Sequence, residues 1–275
     1  MMSWYFFSIA ALFLMGTQRF LYKVSAERGC NTAWTTFSFM ATVTVLSLAG
    51  YLIIRPPIAD ISALLLIAFL NSASFAMGTI SHMEALKHLP AGIVYPIIRL
   101  NAVIVVMGII VAMTVIYILT RSVQGEKGTY GNRRWGFGLV AMALVSGALV
   151  SGAFASVTSK FATIYTDKIA FMAVSYFLGT LFSFGLRKRL ETEESRHNLR
   201  DALLIGLIMG LINFVGFYSF LTALSTGPMS VIISIMGMHF VIGIILSAMI
   251  YKETLTGLRI LGIGLTIVSV LLLRL

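Results

Sequence analysis

The sequence predicts an all-α bundle of membrane-spanning helices, and three observations carry that prediction. Of its 275 residues, 59% are hydrophobic and only 11% charged, with a mean hydropathy of +0.96. A soluble domain carries about 25% charged residues. Apolar stretches long enough to cross roughly 30 Å of hydrocarbon, about 20 residues each, recur along the whole chain. The chain also matches itself when slid by about half its length. With 5 Pro and 1 Cys, collagen and disulfide scaffolds are excluded, and Cys30 alone cannot form an internal disulfide.

The first apolar stretch, 4–20, is interrupted only by Arg19. Residues 1–16 have no basic leading region, so this reads as a retained helix rather than a cleaved signal. Stretches 33–54 and 61–81 follow, then 91–120 with Arg99 inside it, 135–159 and 169–186. The uncharged run 202–251 is too long for one helix, and Thr226-Gly227-Pro228 divides it. Stretch 254–273 closes the chain, giving nine crossings on the plainest count. Segment 187–201 carries mixed charge and reads as a solvated loop or surface helix. The surplus of 20 Lys and Arg over 10 acids punctuates these runs, as in loops at a membrane surface. No nucleic-acid partner is expected.

At an offset of 137, Ala11, Leu12, Lys23, Ala33 and Ser38 meet identical residues at 148, 149, 160, 170 and 175. At 138, Ala85-Leu86 meets Ala223-Leu224, and Pro90 meets Pro228. After Met107 the offset becomes 154, so the 16 residues LSAMIYKETLTGLRIL (246–261) lack a counterpart in the first half. That segment holds the turn between the last two helices.

ALFLMGTQRFLYKVSAERG, EALKHLPAGIVYPIIRLNAV, and ALSTGPMSVIISI with YKETLTGLRILGIGL resemble the drug/metabolite transporter superfamily, EamA type. The resemblance spans nearly the whole chain. It implies ten helices in two five-helix repeats of inverted topology around a central substrate cavity. On this reading, 1–121 is the first EamA-type repeat, 122–134 a basic linker loop and 135–275 the second repeat. The chain departs from the family where the first repeat lacks its acidic turn, so 91–120 is one long helix or two short ones meeting near Gly108. Nine- and ten-crossing parses both place 121–134, 187–201 and 252–259 on the cytoplasmic side. The expected location is the cell's cytoplasmic (inner) membrane, with the lipid bilayer as surroundings and a homodimer left open.

Polar groups inside hydrocarbon default to functional candidates. Arg99 stands about nine residues into its helix, with Tyr95 one turn earlier on the same face. It reads as an anchor for a carboxylate or phosphate, or else pairs with Glu84 or snorkels. Asn71, Ser74, Gly78 and Ser81 line one face of the third helix, and Gly206, Gly210, Asn213 and Phe217 line its counterpart. The glycines read as close packing, while Asn71, Ser74 and Asn213 are cavity candidates. Asn101 and His239 are repeat equivalents near mid-helix. Lys23 and Lys160 are equivalents at helix ends, as interface markers or gates. His82, Glu84 and His88 have metal-ligand types but share no tight helical face, and no metal or cofactor is expected. Phosphate loops, a Ser nucleophile motif and a dinucleotide fingerprint are absent, which argues against an enzyme. No acid occurs in residues 1–26, so exchange of protons on a first-helix carboxylate is not expected. The leading expectation is a secondary transporter, without ATP, for a small polar, anionic or zwitterionic metabolite such as an amino acid. A lipid-linked carrier translocator and a non-transporting degenerate member are the alternatives.

Overall fold

The computed structural model describes residues 3–58, 60–99, 135–190, 198–253 and 256–272. All the regular structure described is helical: α1 (Ser3–Glu27), α2 (Thr32–Ile54), α3 (Ile61–His88), α4 (Ala91–Arg99), α5 (Trp135–Tyr165), α6 (Lys168–Leu186), α7 (Leu199–Thr226), α8 (Met229–Gly237), α9 (His239–Tyr251) and α10 (Gly257–Leu272). Of these, α2, α3, α6, α7 and the 23-residue stretch Ala143–Tyr165 of α5 are long and apolar enough to cross a membrane. The expected break at Gly227-Pro228 is present. A second break, at Met238, divides the following crossing into α8 and α9.

Helix ends follow local chemistry. Gly29, at φ +60°, closes α1 while Cys30 N–H reaches back to Ser25 O at 3.0 Å, the left-handed stop that favours glycine. Buried Asn31 starts α2: its Oδ1 accepts from Ala33 N and Trp34 N at 2.9 and 3.2 Å, and its Nδ2 donates to Arg187 O at 3.4 Å. Asn31→Ala is expected to lower stability by about 1 kcal/mol, the usual worth of an N-cap, in reversible unfolding in detergent. Exposed Asp60 caps α3, and the Ser62 hydroxyl and the first α3 amides hold its carboxyl below the ordinary carboxylate range. A depressed folded-state pKa gives stability that is present above the unfolded value and lost as pH falls through the folded one. That cap therefore weakens only in acid.

The outer faces are greasy: Phe13, Leu66, Val150, Phe177 and Ile208 are all exposed. The interior holds polar groups, with Gln18, Lys23, Asn71, His82, Ser175, Asn213 and His239 all buried. This inside-out distribution suits hydrocarbon surroundings. Close packing on small residues joins the helices. A Cβ on Gly206 would stand 2.5 Å from Thr35 O, and one on Gly210 would stand 2.5 Å from Thr42 Cβ. The glycines of α7 therefore lie against α2, as the spacing implied.

Helix directions follow from paired contacts. Lys23 near the end of α1 meets Glu253 after α9, and Arg28 meets Asp201 at the start of α7. One end of the bundle, the charged end, thus holds the end of α1, the starts of α4 and α7, and the end of α9. Between α3 and α5, Asn71 faces Thr158, Gly78 faces Ser151 and Ser81 lies beside Gly147, so the two run antiparallel. Helix α3 ends at the charged end and α5 starts from it. The starts of α4 and α5 therefore lie at the same end of the bundle. Helices α3 and α4 also map onto α7 and α8 residue for residue at the 138 offset.

Candidate functional site

Along α1, Ser8, Ala11, Met15, Gln18, Tyr22 and Ser25 are all buried. Their alternating three- and four-residue spacing turns one stripe of the helix into the bundle. Two polar assemblies hang from it. In the first, Tyr176 OH (α6) donates to Asn213 Oδ1 (α7) at 2.6 Å, Asn213 Nδ2 donates to Gln18 Oε1 at 3.0 Å, and Gln18 Nε2 donates to Tyr22 OH at 3.3 Å. The donors and acceptors align into one chain across three helices, so each buried amide is matched.

The second assembly surrounds Arg19, two turns or about 12 Å inside the charged end of α1. Its Nη1 lies 3.4 Å from His82 Nδ1 on α3, and its guanidinium lies 4.9 Å from the Tyr22 ring centroid. The His82 ring meets Tyr22 and Tyr95 edge-on, each at 5.2 Å. Tyr95 OH on α4 donates to Arg19 O at 2.7 Å. Arg19 takes part in no ion pair among the described residues, and its Nε is buried without a hydrogen-bond partner. A cation at membrane depth, flanked by aromatic rings and with no counter-ion among the described residues, is chemically ready for an oxyanion.

One turn toward the charged end, the Lys23 ammonium is fully buried between Glu27 Oε1 at 2.5 Å and Glu253 Oε1 at 2.9 Å. Lys23 is thus an internal ion-pair partner rather than a snorkelling residue. Its equivalent Lys160 is exposed and in no ion pair among the described residues. Glu84 pairs with Lys87 at 2.9 Å.

Of the residues expected from sequence, Tyr95 and Asn213 lie in these two assemblies. Asn71 lies elsewhere: its amide nitrogen is within 3.0 Å of Ala155 O, Thr158 Oγ1 and Ser159 Oγ, and it accepts from Ser175 Oγ at 3.0 Å. It ties α3 to α5 and α6. The Ser74 hydroxyl donates to Leu70 O of its own helix at 2.8 Å. His239, buried at the break between α8 and α9, has Nδ1 against Met236 O. Asn101 and the Arg99 side chain lie outside the described residues, although the Arg99 backbone ends α4 one turn beyond Tyr95. Sequence reasoning missed Gln18, Arg19, His82 and Tyr176 as site residues. Among the described residues, no three His, Cys, Asp or Glu groups come together to hold a metal ion.

A bundle with an apolar exterior and a charged, hydrogen-bonded interior defines a multi-pass integral membrane protein built around polar contents. The family model of the EamA-like transporters matches residues 138–275, half of the chain. The protein belongs to the EamA-like transporter family, whose members are transporters rather than enzymes. No curated protein matches the chain.

Proposed function

We propose that the protein is a secondary transporter carrying a small anionic or zwitterionic metabolite, such as an amino acid or derivative, by alternating access across a cytoplasmic membrane. The observation that carries this reading is Arg19 at membrane depth, in no ion pair among the described residues and beside Tyr22, His82 and Tyr95. Arg19 takes the substrate's carboxylate, Tyr95 fixes α4 beside it, and Arg99, one turn further along α4, supplies a second cation. Arg99 corresponds to Gly237, where α8 stops before the break. Interrupted helices near the midplane commonly form substrate sites in transporters.

The two halves act as inverted repeats. Support comes from α1 and α5, and from α3 and α7, which are equivalent in sequence and run in opposite directions. The packed pair α1–α7 exchanges with α5–α3 under the same equivalence. Rocking one repeat against the other alternately exposes Arg19 to each side. The excess of Lys and Arg puts the charged end in the cytoplasm and both termini outside.

Two measurements test the reading. A tag at each end should be reached by a membrane-impermeant label on intact cells; opposite sidedness would remove the inverted arrangement. Proteoliposomes should exchange a radiolabelled amino-acid or carboxylate panel, and Arg99→Ala should abolish uptake while the protein stays monodisperse. Full uptake by that variant removes Arg99 from the site.

A further inference from the structure

The Lys23 cluster lies outside the proposed carboxylate seat and has a geometry of its own. Glu253, in the turn between α9 and α10, touches two other helices at once. Its Oε1 pairs with Lys23 on α1 at 2.9 Å, and its Oε2 accepts the Ala91 amide at the start of α4 at 3.1 Å. Helix α4 is the element that also holds Tyr95 against Arg19. One carboxylate therefore ties together α1, α4 and the α9–α10 turn, one helical turn outward from Arg19.

The knot is one-sided. Glu253 belongs to the 246–261 segment that has no counterpart in the first half. Lys160, the equivalent of Lys23, sits near the opposite end, exposed and in no ion pair among the described residues.

We propose that Glu253 is the latch of the charged end: its bond to Lys23 and the α4 amide holds that end shut, and opening requires a negative group to take its place. This rests on the transporter reading above. Withdrawing Glu253 leaves Lys23 with Glu27 alone and the Glu253 carboxylate without its cation, which is costly in a low-dielectric interior. The empty carrier consequently stays closed. A substrate carboxylate arriving at Arg19 is one turn from Lys23 and can exchange with Glu253 there, with no change in the number of ion pairs. Among the described residues the opposite end shows no matching lock, and it opens without such an exchange.

Thiol labelling tests this without any substrate. Thr79 is buried on the His82 face of α3, one turn deeper, so it lies roughly 10 Å inside the latch. Thr79→Cys in a Cys30→Ser background gives a single reporter thiol. It is exposed to an impermeant maleimide in vesicles of each orientation. With Glu253 present, labelling from the charged end should be slow. Glu253→Gln keeps an acceptor for the Ala91 amide and removes only the charge; it should speed labelling from that end about tenfold or more and leave the other side unchanged. Asn31→Ala, which weakens the fold without touching the latch, should not speed it. Equal rates with and without the Glu253 charge, or acceleration from both sides, would overturn the latch. If wild-type protein fails to transport while the one-sided acceleration is present, the failure belongs to the transporter reading instead.

Discussion

Arg19→Gln should abolish transport and leave stability unchanged or slightly raised. The two effects have one cause. Truncating a desolvated charge that binds an oppositely charged group costs about 2–5 kcal/mol, or roughly 30- to several-thousand-fold in a rate that depends on that contact. For the fold the sign differs. Among the described residues the side chain's one hydrogen-bonding neighbour is His82 Nδ1 at 3.4 Å, and its Nε is buried with no acceptor. Removing it orphans no carboxylate and lifts an unmet desolvation cost. A residue that costs stability while serving a site is a common trade in proteins. Transport in proteoliposomes and unfolding in SDS or heat should therefore move oppositely. Loss of both together would make Arg19 a structural residue. Lys23→Met is the contrast: it strands Glu253 and Glu27 beside a buried site and should destabilise strongly. Tyr95→Phe, which loses the 2.7 Å bond to Arg19 O, should slow transport by about fivefold, in line with about 1 kcal/mol for one hydrogen bond.

Much of the fold was legible because hydrocarbon imposes a simple rule on sequence: long uncharged runs become helices. The repeat register was legible too, and α3–α4 and α7–α8 fall on it without slippage. The site was half legible. Arg99 stands out as a lone charge within a 30-residue run, whereas Arg19 reads only as an interruption one residue from the end of stretch 4–20. Hydropathy cannot tell these cases apart, because α1 continues as helix through Glu27 and carries its charges inward. The available signal was the heptad stripe Ala11, Met15, Gln18, Tyr22, Ser25, whose polar members can face only protein. Asn71 illustrates the opposite difficulty. Its residue type and depth matched a cavity amide, but its partners on α5 and α6 come from 84 to 104 residues away in sequence. The 137-residue register pairs Ala155, its carbonyl partner, with Gln18, the partner of Asn213. The same position thus serves packing in one half and a polar relay in the other.

Gly206→Ala combined with Gly210→Ala should be the most damaging pair of single-methyl additions on the α2-facing side of α7. At Gly206 the new Cβ would stand 2.5 Å from Thr35 O and 2.9 Å from Phe39 N, both backbone atoms of α2. At Gly210 it would stand 2.8 Å from Phe39 O. Backbone cannot rotate aside as a side chain does, so α2 and α7 must separate. Separation also strains the Ser38 Oγ bond to Leu203 O, 2.7 Å across the same seam. Overpacking of this kind costs about 1–3 kcal/mol per site, and in lipid no hydrophobic effect between helices offsets it. The double variant should unfold at markedly lower SDS or temperature and lose transport with the fold. Gly185→Ala supplies the control, since a Cβ there meets nothing within 4 Å. Alanine is also the better helix former, by roughly 1 kcal/mol. If the two variants melted alike, the α2–α7 seam would not hold the repeats together. The rocking surface would then have to be sought elsewhere, along α3 and α5.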